Sequence, residues 1–136
     1  MPSTTTGAKS ILEYLLINGT KPATWKIGLS TTLINTDGTG ATSPAGNYSS
    51  ISIDANTWNT AENSEISNSS LIKFDKATSG WGLIKEIILF ASAGGVENIY
   101  FHQPIIPPIL VEEGTTVVIQ PNSLVISRKI VHSERG

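Results

Sequence analysis

The chain has 136 residues, a formal net charge of -2 with only 15% of residues charged, and no cysteine. At that length it is expected to fold as one domain, with a core that removes roughly two-thirds of the unfolded chain's surface from water. No Lys/Arg run can neutralise a phosphate backbone, disulfides and Cys-held zinc or iron are ruled out, and no apolar run approaches the roughly 18–20 residues of a membrane span. Nucleic acid and membrane are therefore not expected partners. A secretory signal is not expected either, because no basic segment precedes an apolar one near the start.

From Gly7 onward, Ala8, Ile11, Leu12, Leu15 and Leu16 recur at helical spacing, with Lys9 and Glu13 placed to face water. This predicts a helix over about residues 7–17, closed by Asn18-Gly19. Three turns of helix are marginal alone, so the apolar stripe has to dock, either on one end of the domain or on a neighbouring subunit. Trp25 to Ile34 alternates, with Trp25, Ile27, Leu29 and Leu33 on one side and Lys26, Gly28, Ser30 and Thr32 on the other, as a half-buried strand does. Asn35 to Asn47 is a run of turn formers and reads as a surface loop. Its Asn35-Thr36-Asp37-Gly38 has too few acids, and no closing Glu, for a calcium loop.

Tyr48 to Ile53 predicts a short strand. Asp54 to Ser70 is polar and irregular, with Trp58 either capping the core or offering a binding surface. Leu71 to Asp75 predicts another strand, with Ile72 and Phe74 inward.

The centre of the chain is Gly80 to Pro104. Trp81 to Ala91 and Val96 to Gln103 are β-rich runs around Ser92-Ala93-Gly94-Gly95, which marks a β-hairpin. Strand alternation places Trp81, Leu83, Ile87 and Leu89 on one face and Ile84, Ile88 and Phe90 on the other. Both faces are apolar, so both need a cover. One cover is the domain's own second sheet, and the other is either the N-terminal segment or another subunit.

After the hairpin, Pro104, Pro107 and Pro108 forbid a central strand and favour an edge or a corner. Strands are expected at Ile109–Val111, Thr115–Ile119 and Leu124–Ser127. Residues 128–136 form a tail, or an arm that adds a strand to a neighbour through Ile130 and Val131. About eight strands with closely spaced turns and one leading helix predict an all-β fold, an antiparallel β-sandwich of jelly-roll type with a short N-terminal α-helix, over residues 1–127.

The chemistry is thin. The two histidines, His102 and His132, are isolated in sequence, no Gly-x-Ser-x-Gly elbow is present, and no ligand cluster has zinc spacing. Asp54, Glu62, Glu65, Asp75, Glu86 and Glu97 could meet as a carboxylate pair, yet they are distributed as solvated charges are. No enzymatic activity, metal or cofactor is expected.

Trp25-Lys26-Ile27-Gly28-Leu29-Ser30-Thr31 after a leading helix, then Gly38-Thr39-Gly40-Ala41-Thr42, Pro44 and Gly46-Asn47-Tyr48, form an ordered set. It continues with Ile66-Ser67-Asn68-Ser69, Ile72-Lys73-Phe74, Ala77-Thr78-Ser79-Gly80-Trp81-Gly82, Phe90-Ala91-Ser92-Ala93-Gly94-Gly95 and Val111-Glu112-Glu113-Gly114-Thr115. Over about residues 7–127 this resembles a family of small tailed-bacteriophage virion proteins, capsid-decoration, head-fibre or tail fibre-like. Gly95-Val96-Glu97-Asn98, the Pro-rich corner and the tail from Arg128 depart from that pattern.

The resemblance supplies no catalytic residues and implies a building block of the particle surface, present in many copies. On that reading the protein is a homotrimer joined through Ile84, Ile88 and Phe90. It docks on the major capsid protein or another virion protein through Ile11, Leu15, Ile130 and Val131. The alternative is a tail fibre or receptor-binding module whose Tyr48 and Trp58 contact host glycan.

Overall fold

The computed structural model describes residues 1, 3–62 and 65–127. The arm expected at 128–136, with Ile130 and Val131, lies outside the described residues. Ser3 forms a β-bridge with Phe101, and Thr4 then caps helix α1 (Thr5–Ile17) by accepting the Gly7 N–H on its hydroxyl. Asn18 ends the helix in the left-handed conformation, and the Gly19 N–H donates to the Glu13 carbonyl at 2.8 Å, so the stop expected from Asn18-Gly19 forms.

The helix docks differently from the expectation. Gly7 is its one buried residue, and Ser10 bonds the Tyr100 hydroxyl at 2.8 Å, so the N-terminal half provides the contact and most of the apolar stripe stays in water. A methyl added at Gly7 would lie 2.5 Å from Tyr100 Cα. Helix propensity alone favours Gly7→Ala by up to about 1 kcal/mol. The clash with backbone should win, with a net loss of about 1–3 kcal/mol in urea unfolding; a neutral or stabilised variant would show that α1 does not sit this close.

Strand β1 (Ala23–Ser30) buries Ile27 and Leu29 as expected, but Gly28 and Ser30 are buried as well, so its second half is covered on both faces and not half-buried. It stops before Leu33, which is exposed, because the Ser30 hydroxyl turns back to bond the backbone of Thr32 and Thr42. Strands β2 (Ile51–Ser52), β3 (Glu65–Ser67) and β4 (Ile72–Lys73) are short, and a 3-10 turn (Ala55–Thr57) precedes β3. Ile72 and Phe74 point inward as expected.

The central hairpin is β5 (Gly82–Ala93) and β6 (Val96–Val111), joined by Gly94 and Gly95 at φ 62° and 83°. Two successive left-handed residues are the turn whose twist suits the flanking strands, and glycine takes it without strain. Strands β7 (Val118–Ile119) and β8 (Val125–Ser127) complete the set.

The described residues are thus mostly β, with every strand pairing antiparallel, and include one α-helix. Among the described residues the strands form a four-stranded sheet ordered β2-β1-β5-β6 and two ribbons, β3-β8 and β4-β7. These pairings are not the two four-stranded sheets of a jelly roll. Ile27, Leu29, Ile84 and Leu89 of the sheet join Ile72, Phe74, Ile119 and Leu124 of the ribbon side in one core, closed by Trp81 and Val111. Each such side chain contributes about 1.5–3 kcal/mol by leaving water.

One correction concerns the hairpin's faces. Ile84 pairs with Ile109 and Glu86 with Pro104, so Lys85 alone stands opposite Ile105–Pro108. A bulge of that size shifts the side-chain alternation. Ile84 therefore turns into the core beside Trp81 and Leu89, at 1% exposure, while Leu83 turns out to water.

Candidate functional site

The second face of β5 is closed largely by the chain itself. Segment 31–47, of which 31–34 were expected to continue the strand and 35–47 to form a surface loop, folds back over it. Ile34 is buried and donates its N–H to Glu86 Oε2, and Ala41, Ser43 and Tyr48 line a groove with Ile88 and Phe90. The loop is held by Thr31 N–H to the Thr42 carbonyl and Asn35 N–H to the Thr39 carbonyl, and it is tied to the helix start by Thr5 N–H to the Thr36 carbonyl.

These placements bear on the residues expected to join subunits. Ile84 is sealed within its own subunit and has no surface to offer a neighbour, because the bulge turned it inward. Ile88 is buried beneath the 31–47 side of the molecule, and Phe90 is half-buried along the same groove. Residues 34–48 of the same chain thus lie against a face for which the N-terminal segment or another subunit was the expected cover.

Glu86 sits at the middle of that cover and was read from the sequence as a solvated acid. It is 1% exposed, and its second oxygen lies 2.7 Å from His102 Nδ1, two residues from its cross-strand partner Pro104. A buried carboxylate needs such partners, because desolvating it alone is prohibitive. The legible signal was one acid inside a strand apolar on both faces, with one of only two histidines on the partner strand.

Of the residues expected to contact glycan, both have visible structural work. Tyr48 stacks 6.3 Å from Phe74, meets Trp81 edge-on at 5.5 Å, and accepts the Leu29 N–H on its hydroxyl at 2.9 Å. Burial pushes its phenol pKa up, partly offset by the Leu29 bond. Gly28 leaves the space, since a methyl there would stand 2.6 Å from the Tyr48 hydroxyl. Trp58 is half-buried against the core and bridges to Asn68. Beside it lies a polar groove of about 550 Å³ lined in part by Asn59, Glu62, Glu65, Ser67 and Asn122, in which Asn59 Nδ2 donates to Asn122 Oδ1 at 2.8 Å.

Among the described residues, exposed apolar side chains cluster on two surfaces. On α1, Leu15, Leu16 and Ile17 are 65%, 77% and 72% exposed, with Leu12 beside them; Ile11, expected to dock with Leu15, is instead half-buried. At the base of the hairpin the bulge carries Ile106 at 88% exposure, near exposed Leu83, Leu110 and Val118. Exposed apolar patches of this kind are larger than singly scattered surface side chains. Among the described residues no group of three or more metal-ligating side chains comes together.

No curated protein matches the chain. A family model does, that of the podophage GP4 fiber I protein gp80, over residues 2–127. The match takes in the helix, the hairpin and both ribbons, and by it this chain belongs to the podophage GP4 fiber I protein gp80 family, fibre-like proteins of the phage virion.

Proposed function

We propose that the protein is a structural subunit on the surface of a phage particle, a capsid-decoration or head-fibre protein that acts as a homo-oligomer, a homotrimer, bound to the major capsid protein or another virion protein. The observation that carries this reading is the apolar end of α1, where Leu15, Leu16 and Ile17 stand in water although the helix has a buried anchor at Gly7. A helix fixed at one end and greasy at the other suits a groove on a neighbour, read through residues three and four apart. Leu15 keeps its docking role, joined by Leu16 and Ile17 in place of Ile11.

Antibody labelling of intact virions, viewed by electron microscopy, tests the reading. Label spread over the head supports it. Label confined to the tail supports the second reading, a tail fibre or receptor-binding module, which the polar groove beside Trp58 favours because clustered amides, hydroxyls and carboxylates suit sugar hydroxyls. Absence from the particle would overturn both.

A further inference from the structure

The two open apolar surfaces sit at opposite ends of one rod. The turn at Gly94 lies beside Thr20, just past the end of α1, and Ala23 pairs with Ser92 near that same tip. The Ile106 bulge and the Leu83–Leu110 pair lie at the other end, where Gly82 meets Val111. β5 has 12 residues between these ends, a span on the order of 35–40 Å at about 3.3 Å per residue. One copy cannot bring its own two surfaces together.

We propose that copies of this chain associate head to tail, with the exposed half of α1 in one copy seated against the proline bulge of the next. The inference deepens the homo-oligomer reading above by naming its contact.

Three observations support it. The first is shape. The helix end is convex, with Leu12 and Leu16 four residues apart on one ridge, while the bulge stands beside a recess of about 530 Å³ lined in part by Ile87, Ile105, Ile119 and Leu124. A ridge fits a recess, whereas either surface set against itself would meet its own shape.

The second is area. Each surface has four large side chains that are 40–88% exposed. That leaves on the order of 400–500 Å² of apolar surface apiece, at the top of what a monomer shows and about the apolar share of an 800 Å² half-interface. The third is the cost of burial. Tyr14–Ile17 and Pro104–Val111 contain no charged residue, and the charges next to them, Glu13 beside Leu12 and Lys85 opposite the bulge, are of opposite sign, so closing one surface on the other does not set like charges together. Pro107 and Pro108 lack N–H groups, which disfavours pairing of an added strand along the bulge and leaves docking to side chains. A contact between unlike surfaces closes into a ring or extends as a filament, and a trimeric ring would repeat it three times.

The test uses Leu16→Glu and Ile106→Glu. Both side chains are exposed, and circular dichroism verifies that each variant is folded. In sedimentation equilibrium the unmodified chain should be oligomeric, and each variant alone should associate about 30-fold more weakly or worse and run as a monomer. A 1:1 mixture of the two variants should double in mass, because each retains the surface the other lost.

An unmodified chain that stays monomeric overturns the proposal. So does a variant that still assembles alone, or a mixture that stays monomeric, since like-to-like contacts give no complementation. The virion reading stands or falls separately, on where the label binds the particle.

Discussion

Glu86→Ala is expected to lower folding stability by about 3–4 kcal/mol, because two groups that depend on one carboxylate lose it together. Its oxygens meet His102 Nδ1 and the Ile34 N–H, and the side chain is almost fully buried. Hydrogen bonds to a charged group contribute about 1.5–3 kcal/mol, and a buried donor left unpaired costs about 1–3 kcal/mol. Alanine also leaves a void where the Glu86 side chain packs under the loop.

In a domain of this size the loss corresponds to a fall in Tm on the order of 10 °C. Glu86→Gln keeps the shape and one acceptor, so it should cost less, about 1–2 kcal/mol. Urea unfolding of both variants measures the difference. The loop from Thr31 to Asn47 should also become the first site of protease cleavage in Glu86→Ala, since Ile34 loses its anchor. An alanine variant within about 0.5 kcal/mol of the parent would mean that this carboxylate does not hold the loop.

Asn68→Asp should be at least as damaging, about 4 kcal/mol at neutral pH, although it changes a single atom group. Asn68 is fully buried, and its Nδ2 donates to the Ser70 and Gln120 carbonyls, both at 2.9 Å, while its Oδ1 accepts the Leu124 N–H at 2.9 Å. Its backbone carbonyl also accepts the Asn122 N–H. One side chain thereby ties the end of β3 to the turn between β7 and β8.

Aspartate sets an oxygen against two carbonyls and brings a charge into a fully buried position. Asn68→Ala removes the same bonds without adding the repulsion, so it should lose less, about 3 kcal/mol. Thermal melts of the pair decide the point. Equal melting temperatures for the two variants would show that the charge and the carbonyl repulsion add nothing to the loss of the hydrogen bonds.

The end of α1 and the base of the hairpin expose apolar side chains, whereas Ile88 on the second face of β5 is buried. That face is covered by a segment whose composition, rich in Gly, Thr, Ser and Asn, reads as a solvent loop. Ile34 is the exception within it, and it takes one apolar side chain and one N–H into the cover over Glu86.

What the sequence determined by itself was local. The helix and its stop at Asn18-Gly19, the Gly94-Gly95 turn, the inward Ile27, Leu29, Ile72 and Phe74, and the edge position of the prolines all follow from propensity and period, which act between near neighbours. Tertiary structure decided the rest. The inward turn of Ile84 depends on Ile105–Pro108 bulging opposite Lys85, the burial of Glu86 on a histidine 16 residues away and an amide 52 residues away, and the exposure of Leu16 on Gly7 reaching Tyr100 first. The physical reason is common to all three: the face a strand residue shows, and whether a charge or an apolar side chain keeps its water, are set by register and by partners distant along the chain.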